Sequence, residues 1–292
     1  MAFRLKREGS MPKQLRRIVH SELRSAPEAL DGGAPDDTGI YEARKSVKKT
    51  RAILRLLRKP LDADFSDENA RLRIVARALA SLRDADATLD TLRQLHGRYP
   101  LAVSPRVVRA VTRGLCVRKR RAEAKVKPIV RRAKDALLVS CRSLPEHIER
   151  TGHFRATRAG AVAGYREART ACRGLALDGE SAAFHEWRKR IKDHWYHVRL
   201  FHQLPQGPQS RTDTLRRLEQ WLGKDHDLAT LRSIVLDGDD RYGDARTRTL
   251  LLGSIMRHQA SLRRRAMALG ARVFAASPKE FKASVTDWWR QR

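Results

Sequence analysis

Two segments of this chain set basic side chains at helical spacing. Over 41–55, Tyr41, Arg44, Lys48, Arg51 and Arg55 fall in one stripe at 100° per residue, with Lys45 at its border and Lys49 further round. Over 185–199, His185, Arg188, Lys192, Trp195 and Arg199 do the same, with Lys189 alongside. The chemistry such rows offer is electrostatic. Arg grips phosphate oxygens in a fork and Lys acts as a mobile point charge. From first to last basic residue each row rises about 16 Å. A small metabolite does not need a cationic row of that length; a chain of phosphates does. His185 begins the second row, and with an unperturbed pKa of about 6.5 it adds positive charge as pH falls.

The elements that must position these rows are helices. Val47, Thr50, Leu54 and Leu57 lie opposite the first stripe, and Trp187, Ile191, Val198 and Phe201 opposite the second, so each helix separates a packing face from a cationic face. Leu72, Val75, Leu79 and Leu82 recur at helical spacing, as do Leu215, Leu218 and Leu222, while strand signals are nearly absent. The periodicity predicts helices near 11–25, 40–58, 67–97, 105–143, 157–174, 182–203, 211–233 and 245–275, with a short closing helix at 279–290. Connections are expected at 26–39, 59–67, 99–105, 204–210 and 236–244, where Gly, Pro and Asp gather. Acids concentrate there: Asp31, Asp36 and Asp37, then Asp62, Asp64, Asp67 and Glu68, then Asp237, Asp239, Asp240 and Asp244. Between residues 41 and 59 only Glu42 is acidic.

YEARKSVKKTRAILRL at 41–56 aligns without gaps on HEWRKRIKDHWYHVRL at 185–200. LRDADATL at 82–89 resembles GKDHDLAT at 223–230, and Gly114, Arg118 and Lys125 fall on Gly253, Arg257 and Arg264. The offsets of 144, 141 and 139 drift as loop lengths would. The pattern reads as a tandem duplication with four main helices per half, 1–145 and 146–292. Arg118, Lys125, Arg257 and Arg264 are candidates for a second rank of cations.

The whole chain, 292 residues, carries 62 Lys and Arg against 33 Asp and Glu, a formal charge of +29. An excess of that size repels itself and points to an anionic partner: nucleic acid, an anionic membrane surface, or a free polyanion such as inorganic polyphosphate. The N-terminus lacks the apolar run of a signal peptide, and no stretch reaches membrane-spanning length. Cys116, Cys141 and Cys172 are scattered, with no CxxC pair, and read as free thiols in a reducing cytoplasm.

The spacing H-x-x-R-K-x-x-K, present as His185, Arg188, Lys189 and Lys192, resembles the signature of CHAD, the conserved histidine α-helical domain. The first copy has Tyr41 in the histidine position and keeps Arg44, Lys45, Lys48, Lys49 and Arg51. LRDAD at 82–86, KDHDL at 224–228 and the tail DWWR at 287–290 fit the same pattern, so the resemblance covers nearly all of 1–292 as a single domain. It implies an all-α fold of two four-helix bundles related by pseudo-two-fold symmetry, with a basic central groove. It also implies non-catalytic binding of inorganic polyphosphate in a bacterial-type cytoplasm, on polyphosphate granules and beside granule-associated proteins. Some family members are fused to a triphosphatase, whose E-x-E-x-K motif this sequence lacks. Asp193 stands where the first copy has Lys49, and Trp195 where it has Arg51. That predicts weaker binding by the second copy.

No cofactor, metal or turnover is expected. His194, His197 and His202 lack a convergent carboxylate or cysteine, and His194 falls on the packing side. Asp84 and Asp86, like Asp225 and Asp227, are expected to pair with Arg across helices or to cap them. Trp187 and Phe201 are expected in the core, and of Trp288 and Trp289 one is expected to anchor the last helix. The rival functions are nucleic-acid binding, which the 6% aromatic content and missing recognition module disfavour; polyphosphate processing, which needs acids placed for divalent metals; and an adaptor that brings proteins to polyphosphate. Nucleic acid therefore enters only as a competing polyanion, and no membrane partner is expected.

Overall fold

The computed structural model describes residues 3–6, 8–31, 37–201, 208–238 and 244–291. Parts of the expected connections at 26–39, 204–210 and 236–244 lie outside them, as do Asp36, Asp239, Asp240 and His202. Among the described residues the fold is all-α, with eleven helices and no strand: α1 (Met11–Glu28), α2 (Asp37–Leu56), α3 (Arg58–Ser81), α4 (Asp84–Arg98), α5 (Pro105–Glu123), α6 (Val126–Thr151), α7 (Phe154–Arg173), α8 (Ser181–Leu200), α9 (Pro208–Leu236), α10 (Ala245–Val273) and α11 (Pro278–Arg290).

Local chemistry explains several starts. Ser104 accepts a hydrogen bond from the Val107 amide with Pro105 following it, and Asp244 accepts from Thr247 at 2.7 Å. Ser277 and Glu280 form a reciprocal capping box ahead of α11. Two expected helices are each divided. The span 67–97 breaks at Leu82–Arg83, just before Asp84 and Asp86, whose charges suit the first turn of a new helix. The span 105–143 breaks at Ala124–Lys125. Conversely, the connection expected at 59–67 is helical on both sides of one residue, Asp62 (φ 43°, ψ −113°), where the chain turns sharply.

The apolar faces form two clusters. The larger unites α1, α2, α3 and α6 with α7, α8, the front of α9, the end of α10, and α11. The smaller joins α4 and α5 to the back of α9 and front of α10, and Trp221 packs against both. The buried Trp187 and Phe201 belong to the larger cluster, as expected. Trp288 is buried against Phe201, and Trp289 stacks on Phe154 at 4.4 Å. His194 is enclosed by Tyr165, Phe274 and Phe281. The three cysteines are free thiols.

α2 and α8 pack on each other, flanked by α1, α3, α7 and α9. His197 fixes their crossing, its Nε2–H donating to the Ala52 carbonyl at 2.9 Å. On the α7 side, Gly160 lets two backbones touch: a Cβ there would sit 1.7 Å from the Leu56 carbonyl oxygen. Within the N-terminal segment, the Leu5 amide donates to the Leu200 carbonyl at the far end of α8.

A candidate polyanion site between two basic helices

The contact between α2 and α8 gathers four cations. Arg44 and Lys48 on α2 lie within the electrostatic reach of Arg188 on α8, and Lys48 also of Lys192. Burial first, then Lys192, Arg44 and Arg188, press the Lys48 ammonium down to about 7, against the opposing pull of Glu219. Burial likewise lowers Arg44, with Asp84 opposing and Arg83 and Arg188 adding to the shift. Neither Arg44 nor Lys48 makes a hydrogen bond or ion pair with the described residues.

One acid serves the α8 side. Lys192 Nζ donates to Glu219 Oε1 at 2.6 Å, and Arg188 Nη2 stands 3.9 Å from the same oxygen. Burial alone would raise Glu219, but Lys192, Arg188 and Lys48 together hold it below its ordinary value. The Arg188 Nε is buried without a partner. Two further acids border the cluster. Burial raises Asp84, which faces Arg44, and Asp227, which faces Arg188.

The two histidine positions differ. Tyr41 is 53% exposed, its ring beneath the cations of Lys45 and Arg83. His185 lies against His226 of α9, the rings tilted by 34° with centroids 4.2 Å apart. Burial lowers His185, helped by Lys189 and Arg188, and brings His226 to about 4 with the help of Arg188, His185 and Lys189. His185 is therefore neutral in the free protein near pH 7. Lys45 and Lys189 pair with Glu42 and Glu186 one turn before them and remain at the surface.

The outer ends of the rows are engaged within the fold. Arg55 donates to Asp193 of α8 at 2.5 Å, and burial raises Asp193 against the pull of Arg55 and Arg51. Arg51 donates to Asn69 Oδ1 at 3.3 and 3.2 Å, and burial with the nearby Arg55, Arg73 and Arg77 brings it to about 10. Arg199 lies over Trp195 at 4.9 Å. Lys49, grouped by sequence with the phosphate-binding cations, is turned toward α1: its Nζ donates to the buried Glu22 at 2.7 Å, and its side chain is 12% exposed. Its place far round from the stripe is the physical reason.

Arg118, Lys125, Arg257 and Arg264 are exposed on α5, the α5–α6 junction and α10. They are not among the charges named as acting on Arg44, Lys48 or Arg51. The expected pairing with Arg across helices holds for Asp225, bound by Arg263 at 2.9 Å, while Asp86 is bound across helices by a lysine, Lys119, at 2.8 Å. Sequence reasoning missed Glu219. Its signal was its place on α9, one residue after Leu218 and three before Leu222, at the edge of an apolar stripe. Among the described residues no group of three or more His, Cys, Asp or Glu is placed to hold a metal ion, and no helix is long and apolar enough to cross a membrane.

Solved structures share this architecture. The CHAD domain from the plant Ricinus communis superposes with a TM-score of 0.67 at 17% identity, covering 95% of this chain and 96% of that one. PptA from Streptomyces chartreusis superposes with a TM-score of 0.65 at 16% identity, covering 90% and 100%. No curated protein matches the chain by sequence. The family model of the CHAD domain matches residues 13–236. Sequence and fold thus agree, and the chain belongs to the CHAD domain family.

Proposed function

We propose that this protein binds inorganic polyphosphate, without turning it over, along a basic groove where α2 and α8 meet. In this reading the two helices are the equivalent elements of a duplicated, pseudo-two-fold arrangement, each contributing one row of cations. The observation that carries it is the cluster of Arg44, Lys48, Arg188 and Lys192, four cations around one directly bonded acid, Glu219. Packing like charges together costs stability, and a chain of phosphates, whose charge repeats along its length, offsets that cost along both rows. Tyr41, Lys45, His185 and Lys189 extend the contact at the helix starts, with the Tyr41 phenol able to donate a hydrogen bond to phosphate. The setting is the cytoplasm, on polyphosphate granules with their associated proteins.

Calorimetry with long-chain polyphosphate at two salt concentrations, with duplex DNA and RNA as competitors, tests this reading. Tight binding that resists nucleic acid, and is lost when Arg44, Lys48, Arg188 and Lys192 are changed to alanine, is the expected outcome. Equal binding of all polyanions, unchanged in the variant, would sink it. Asp84 and Asp227 favour a second reading, polyphosphate processing, because they bring carboxylates to the edge of the cation cluster. Phosphate release from polyphosphate in the presence of magnesium would select that reading.

A further inference from the structure

The free cluster has more positive charge than its surroundings can hold. Lys48 is its centre, met by Arg44 from its own helix, Arg188 and Lys192 from α8, and Glu219 from α9. The other charged groups on elements packed against α2 are committed elsewhere. Glu22 of α1 binds Lys49, Arg73 and Arg77 of α3 act on Arg51, Asp193 of α8 binds Arg55, and Glu167 of α7 binds Arg190. Asp84 and Asp227 act on the arginines at the rim. Glu219 accepts a hydrogen bond from Lys192, and among the described residues Lys48 donates none to it. Arginine does not shed its proton, and Lys192 has a bonded carboxylate in Glu219 at 2.6 Å. Lys48, lowered first by burial and then by the like charges around it, is the member of the cluster that deprotonates.

A polyanion reverses this balance. Phosphate oxygens laid over Arg44 and Arg188 put anions beside Nζ, and that attraction offsets both the burial and the repulsion that lower Lys48 in the free protein, favouring the ammonium form. We propose that polyphosphate binds to this site together with a proton taken from solvent at Lys48 Nζ, so that binding weakens as pH rises through neutrality. The inference rests on the polyphosphate reading and adds a linkage to it. With free Lys48 titrating at about 7, the protonated fraction is nearly complete at pH 6 and small at pH 8.5. If the bound lysine returns to its ordinary range, affinity falls about 30-fold between these pH values, approaching one decade per pH unit. His185 and His226, both lowered in the free protein, take up a proton at pH 8 only where bound phosphate raises them past that pH, and their share is what Lys48→Arg leaves behind.

The experiment is calorimetry with long-chain polyphosphate at pH 8 in two buffers of different ionisation enthalpy, which counts the protons taken up, and affinity measured from pH 6 to 8.5. The wild type is expected to take up close to one proton per site and to show the 30-fold slope. Lys48→Arg, cationic throughout, is expected to bind with little uptake and a flat profile. Binding by the wild type with no uptake overturns the linkage while leaving the polyphosphate reading intact. Uptake that persists in Lys48→Arg overturns the assignment to Lys48. No binding of polyphosphate by the wild type removes the underlying reading itself. The wild-type proton count decides the linkage even if Lys48→Arg fails to fold.

Discussion

Glu219→Gln keeps the side chain's size and removes the carboxylate that α9 places among the α8 cations. Lys192 Nζ lies 2.6 Å from it and Arg188 Nη2 3.9 Å away, while the Glu219, Lys192 and Arg188 side chains are 14%, 20% and 22% exposed. At an effective dielectric of about 20, unit charges about 4 Å apart interact by roughly 4 kcal/mol, and removing one partner of a buried pair costs about 3–5 kcal/mol. Residual exposure screens the pair, and Lys48 can shed its proton to relieve part of the added repulsion. We therefore expect a loss near the lower end, about 3 kcal/mol at pH 7 and low salt. Binding should move the other way. Glu219 occupies the donors a phosphate would use, so the variant should bind polyphosphate about tenfold more tightly, a gain of about 1.4 kcal/mol. Urea unfolding with and without polyphosphate measures both quantities. A variant as stable as the wild type, or one that binds more weakly, would refute the view of Glu219 as the internal counter-ion of a phosphate site.

Acid should unfold the protein partly through His197. Burial, opposed by its bond to Ala52, holds it down to about 4, so between its unfolded value near 6.5 and about 4 the unfolded chain binds the extra proton. Stability contributed by neutral His197 is thus present above pH 6.5 and lost as pH falls through that window, by roughly 3 kcal/mol in all; His197→Gln should flatten this part of the urea-unfolding profile against pH. Gly160→Ala would place a methyl 1.7 Å from the Leu56 carbonyl oxygen, so α7 and the end of α2 must separate. Overpacking typically costs about 1–3 kcal/mol, and a backbone obstacle puts the expectation at or above the top of that range, read as a fall in the urea midpoint.

The cationic rows were legible because helical phase is a local property: Arg44, Lys48, Arg188 and Lys192 could be placed on their faces from spacing alone. The fates of Lys49 and Arg55 were not, since their acids come from Glu22 on α1 and Asp193 on α8, and no periodicity reports a partner on another helix. The same limit hid Glu219. Breaks at Leu82–Arg83 and Ala124–Lys125 carry neither Gly nor Pro, so no breaker marked them, and only Asp84 and Asp86 hinted at a helix start after the first. Asp62 shows the opposite case: turn-forming residues surround it, yet helix resumes directly because one residue absorbs the whole change of direction. His194 was readable as a packing residue from its position opposite the basic stripe, and its aromatic enclosure follows from that phase.

The larger apolar cluster draws side chains from both sides of residue 145, and the N-terminal segment is tied through Leu5 to the end of α8. A gene encoding 1–145 alone would therefore yield a chain whose α2 lacks the surface that α7 and α8 provide. Recombination at that point severs a shared interior, and a substitution at the seam of one half, such as at Gly160, acts directly on the other half.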